Sequence, residues 1–187
     1  VALATIVEAI KTVSNDRSLH AADYNSLFLR RASVLSALGR TAAALAVVEE
    51  LVSRLPEREL HAAYSTRAKI HRESFQILEA AADWMRAAEV TEDDAIAGEY
   101  AFFACVALFQ SGQFSEALSP CGRAAAADRQ NGIYAEVNAA VLTEVGDTEA
   151  AAQEAARAIR LRPQASVLFK EAEMDAATEQ RETSADN

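Results

Sequence analysis

In the stretch LGRTAAALAVVEELVSRLPE (38–57), aliphatic residues stand at even spacing on an alanine background, with one glycine near the start and a proline near the end. The opening VALATIVEAIKTV (1–13) sets Leu3, Ile6, Val7 and Ile10 on one helical face. QASVLFKEAEMDAATEQ (164–180) does the same with Val167, Leu168, Ala172 and Met174. Hydrophobic residues make up 51% of the chain, much of it alanine, the strongest helix former because it loses no side-chain entropy on ordering. Six glycines and three prolines in 187 residues leave little punctuation, so long helices are expected. The pattern predicts an all-α chain.

Alignment on glycine exposes a recurrence. GRTAAALAVVEELVSRLP from Gly39, GQFSEALSPCGRAAAADR from Gly112 and GDTEAAAQEAARAIRLRP from Gly146 share a small residue five places on: Ala44, Ala117 and Ala151. Seven places before each glycine stands another, Ala32, Cys105 or Ala139. Two phrases end in proline, Pro56 and Pro163. Gly112 and Gly146 are 34 residues apart. A fourth copy fits between the first two with Ala68, Ala80, Trp84 and Ala87, but Phe75 holds the glycine position, and a different turn is expected there.

This arrangement resembles the tetratricopeptide-repeat family, whose period is 34 residues. The resemblance covers residues 25–165 and implies a right-handed α-solenoid of about four helix–turn–helix repeats, at 25–58, 61–94, 98–131 and 132–165. Residues 1–24 are expected to form an N-terminal helix and loop, the remnant of an upstream repeat. Residues 166–180 are expected to form a C-terminal capping helix over the last apolar face, and 181–187 a disordered tail. Glycine at the turn admits the left-handed conformation that ends the first helix. The small residues let the two helix backbones approach.

The resemblance further implies that the first helix of each repeat lines a concave groove that takes a peptide segment or a helix of a partner protein. By register the lining includes Leu29 and Ser33, then Ser65, Lys69 and Arg72. The third repeat adds Phe102, Val106 and Phe109, an apolar stripe at i, i+4, i+7, with Phe103 turned toward a neighbouring helix, and the fourth adds Glu136. Chaperone-tail binders of the family hold a terminal carboxylate in a clamp of lysines, asparagines and arginine. Leu29, Ser33, Thr66, Glu99 and Phe103 occupy those places here, so that specificity is not expected.

Charge and chemistry narrow the reading. A net charge of −10 without a dense basic stripe argues against nucleic acid. No run reaches the roughly 20 apolar residues of a membrane span, so no direct membrane insertion is expected. His20, His61 and His71 have no metal-ligand spacing, and Glu73, Glu79 and Asp83 read as ordinary helix-surface carboxylates. No catalytic, cofactor or metal residue is expected. Cys105 and Cys121 replace packing residues on facing helices; they read as buried free thiols, with a disulfide as the alternative. The chain therefore reads as a non-catalytic interaction module of bacterial composition. The alternative is a self-assembling scaffold, homo-oligomeric through an end helix or the convex face, or the accessory region of a larger enzyme or secretion complex. The compartment stays open, the cytoplasm being favoured in the absence of a leader.

Overall fold

The computed structural model describes residues 21–162 together with Ala4, Thr5 and Glu8. Those three are helical and exposed. The rest of the N-terminal segment, His20, Pro163, the expected capping helix at 166–180 and the tail at 181–187 lie outside the described residues. Among the described residues are eight named α-helices: α1 (Ala21–Ala37), α2 (Thr41–Val52), α3 (His61–Glu73), α4 (Ile77–Val90), α5 (Asp94–Gln110), α6 (Phe114–Ala127), α7 (Gly132–Glu144) and α8 (Thr148–Leu161). A 3-10 turn at Glu57–Glu59 precedes α3. None of these helices is long and apolar enough to cross a membrane.

The chain divides into two compact units, residues 1–127 and 128–187. In the first, α1 pairs with α2, α3 with α4 and α5 with α6, while α2 packs on α3, α1 on α3 and α4 on α5. In the second, α7 pairs with α8. Small residues make each pairing possible. Ala32 and Ala44, Ala68 and Ala80, Cys105 and Ala117, and Ala139 and Ala151 are all buried, where alanine adds burial without holding the backbones apart. Phe28, Leu35, Val48 and Leu51 fill the space around the first pair. Gly98 serves the same end: a Cβ there would lie 2.4 Å from the Ala127 Cβ, so the start of α5 can meet the end of α6 only as glycine.

Three turns follow the glycine expectation, with Gly39, Gly112 and Gly146 at φ of +72°, +71° and +84°. The fourth departs from expectation. Phe75 does not change the turn but adopts the same left-handed conformation, at φ +60°. The hydrogen bonds explain why. Gln76 N–H reaches His71 O at 2.9 Å and Phe75 N–H reaches Arg72 O at 3.0 Å, the pattern that Arg40 and Gly39 make to Leu35 and Ser36. Closing the helix end and seating α4 on α3 outweigh the roughly 1–2 kcal/mol that a Cβ costs in this conformation. The Phe75 side chain, 90% exposed, points into solvent.

The cysteines also depart from expectation. Cys105 on α5 and Cys121 on α6 form a disulfide, not a pair of free thiols. Both stand at small-residue positions of the crossing, with Cα atoms 4.9 Å apart, inside the separation a disulfide requires.

Candidate functional site

Helices α1, α3 and α5 carry seven of the eight expected site residues, all within the 1–127 unit. Leu29 is half-buried and Ser33 exposed on α1, where the Ser33 hydroxyl donates to Leu29 O at 3.0 Å. Both line a cavity of about 840 Å³ between α1 and the Leu55–Ala62 stretch. Its apolar wall includes Val34, Leu55 and Ala62, and its polar groups include Arg30, Arg58, Glu59 and His61. The repeat register alone missed this second wall. It arises because the join between α2 and α3 holds extra residues and a 3-10 turn, which bring side chains from a linker into the site.

On α3, Lys69 and Arg72 are exposed, and the Arg72 guanidinium lies over the Trp84 ring at 5.6 Å. Glu73, next along, accepts a hydrogen bond from the Ser36 hydroxyl, and Thr41 and Ser74 hydroxyls lie 3.2 Å apart, tying the first two turns together. On α5, Phe102, Val106 and Phe109 are half-buried rather than an open stripe. Phe109 packs on Phe114 at 5.5 Å between ring centroids, and Phe102 on Phe103 at 6.3 Å. Phe103 turns to α4, 5.5 Å from the Trp84 ring. The eighth residue, Glu136, belongs to the 128–187 unit, where it accepts a hydrogen bond from Arg162 at 2.6 Å.

Two polar clusters revise the sequence reading. Ser65 is buried, 5% exposed, and does not line an open face. It bonds the Tyr100 hydroxyl, which also lies 3.3 Å from His61 Nδ1. Burial pushes the Tyr100 phenol above its ordinary range, partly offset by the Ser65 bond, with Glu99 raising it further. Asp83 is not a surface carboxylate either. It is 5% exposed and accepts Arg67 Nε at Oδ2 (2.8 Å) and Arg67 Nη2 at Oδ1. His71 Nε2 lies 3.6 Å from Asp83 Oδ2, and His71 Nδ1 lies 2.9 Å from Gln76 Oε1. The bond to Asp83 holds the Arg67 guanidinium above its usual value despite partial burial. Arg67 and Asp83 join α3 to α4 as a bidentate ion pair. Among the described residues no group of three or more His, Cys, Asp or Glu could hold a metal ion.

No protein-family model and no curated protein sequence matches the chain. Solved structures do. The crystal structure of MamA superposes with a TM-score of 0.65 at 10% identity, over 88% of each chain. A Podosopora anserina kinesin-light-chain candidate with nearly identical TPR-like repeats superposes with a TM-score of 0.64 at 13% identity, over 87% of this chain and 86% of that one. This chain has the tetratricopeptide-repeat fold. Identities this low mark shared backbone geometry, held by helix pairing and small-residue contacts. A tetratricopeptide-repeat fold leaves the surface residues free to differ, so function is argued from this chain's own side chains.

Proposed function

We propose that this tetratricopeptide-repeat chain is a protein-interaction module that binds an extended segment or helix of a partner across the face of α1, α3 and α5. Leu29, Phe102, Val106 and Phe109 supply apolar contact, Ser33 hydrogen bonding, and Lys69 and Arg72 positive charge. The observation that carries the reading is the 840 Å³ cavity beside α1, which puts Leu29 and Ser33 in one concave, largely apolar site rimmed by arginines. Charge segregation supports an acidic partner. Asp23, Arg30, Arg31, Arg67, Lys69, Arg72 and Glu73 give α1 and α3 a combined charge of +3, and Asp94 and Glu99 on α5 bring the three-helix face to +1. Glu49, Glu50, Glu79, Asp83, Arg86 and Glu89 give α2 and α4 a combined charge of −4. In a chain of net charge −10, the α1–α3 side of that face is the one to which an acidic, partly aliphatic segment is steered.

The test is selection of a displayed random-peptide library on the full chain, followed by fluorescence anisotropy of the winners. Leu29→Asp, Lys69→Glu and Phe102→Asp should each weaken binding at least about tenfold, with far-UV circular dichroism unchanged. Peptides that bind all three variants as well as the parent would place recognition elsewhere.

A further inference from the structure

The outer side of α4 carries a surface that the groove reading does not use. Leu78 (50% exposed), Met85 (36% exposed), Ala82, Glu79 and Arg86 are all exposed there. At about 100° per residue they fall within about 60° of Ala82 on one helical face, with Leu78 and Met85 along one edge and Glu79 and Arg86 along the other. Phe75, at the head of this face, is the one non-glycine residue held at positive φ among the described residues. Such strain with such exposure of an aromatic ring gains nothing within the chain, where glycine makes the same turn three times.

We propose that two copies of this chain pair antiparallel through α4, about a two-fold axis at Ala82. The order of the side chains selects this occupant and this direction. A two-fold axis at Ala82, perpendicular to the helix, sets Leu78 against Met85 of the second copy and Glu79 against Arg86 of the second copy. Each contact occurs twice, as an isologous interface requires. A parallel pairing would set the apolar edge of one copy against the charged edge of the other. The small Ala82 at the axis lets the helices approach. Phe75 stands seven residues before Ala82 and Glu89 seven after. The pairing therefore carries each Phe75 ring to the end of the other α4. A cleft of about 630 Å³, lined by Pro56, Glu57, Arg58, Glu89 and Val90, lies there. Phe75 is then the anchor of the contact, buried in the pair and exposed in the single chain. This pairing is independent of peptide binding on the opposite helices.

Multi-angle light scattering of the full chain over a concentration series provides the test. The wild type should pass from monomer to dimer mass. Glu79→Arg and Arg86→Glu, each bringing like charges together twice, should each weaken the dimer at least about tenfold with far-UV circular dichroism unchanged. An equimolar mixture of the two variants should dimerise again, since every charge then meets its opposite, and so should the double variant. Phe75→Gly should also weaken the dimer. A wild type that stays monomeric throughout overturns the proposal. So does a dimer that survives both charge reversals, or one that neither the mixture nor the double variant restores.

Discussion

Phe75 separates two effects that mutations usually confound. Its left-handed backbone is required by the bonds from Gln76 and Phe75 to the last turn of α3, while its ring contributes nothing inside the chain at 90% exposure. Replacement by glycine should raise the stability of the single chain by about 1 kcal/mol, after the greater unfolded-state freedom of glycine is allowed for. Thermal melts at low protein concentration read this gain, and a lower melting temperature would mean that the ring packs. Asp83 is the opposite case. Asp83→Asn removes the charge that faces Arg67 and leaves a partly buried guanidinium without its partner. A loss of roughly 2–3 kcal/mol is expected in urea unfolding, toward the lower side of buried ion pairs because Arg67 keeps some solvent contact. Tyr100 links stability to pH. Because its phenol titrates higher in the folded chain than in the unfolded one, its contribution is full below pH about 10 and is lost as pH rises through the folded-state value. Tyr100→Phe should remove that alkaline loss from the pH–stability curve.

At the scale of elements, α5 and α6 are joined in two ways. Gly98 and Ala127 bring the start of one against the end of the other, and the Cys105–Cys121 disulfide fixes the middle. The cross-link spans a sequence separation of 16, so its removal should cost about 3 kcal/mol by restoring freedom to the unfolded chain. Cys105→Ala with Cys121→Ala preserves the small-residue contact and isolates that entropic contribution. If the double variant melts at the temperature of the oxidised parent, the thiols are not bonded in solution. Three helix starts carry side-chain caps: Asp93 accepts from Ala95 and Ile96 N–H, Asn131 from Ile133 and Tyr134, and Asp147 from Ala150, whereas Arg40, Leu60 and Gln76 before α2, α3 and α4 make no such bond.

For the molecule as a whole, the uneven distribution of charge matters more than its total. A positive α1–α3 face on a chain of net charge −10 should bind acidic segments with an affinity that falls as salt rises, since exposed charges are screened beyond about 8 Å at physiological ionic strength. Anisotropy titrations of a selected acidic peptide at about 0.02 and 0.15 M salt should differ several-fold, and Lys69→Glu should flatten the difference. Equal affinity at both salts, with Leu29→Asp still disruptive, would assign recognition to the apolar wall alone.

The all-α class, the pairing of helices and the turns at Gly39, Gly112 and Gly146 were legible in the sequence by itself. Small residues at fixed distances from a glycine have one economical use, the close crossing of two helices, and that use is local in the chain. The rest depended on contacts between residues distant in sequence. Asp83 reads as a surface carboxylate until α3 places Arg67 against it, and Ser65 as a groove residue until Tyr100 covers it. Cys105 and Cys121 serve as packing spacers until the crossing brings their Cα atoms within bonding range. The second wall of the cavity comes from the α2–α3 join, which follows no repeat. At Phe75 the tertiary structure overruled local preference outright, because the seating of α4 on α3 and the bonds that close α3 are worth more than the strain at one residue.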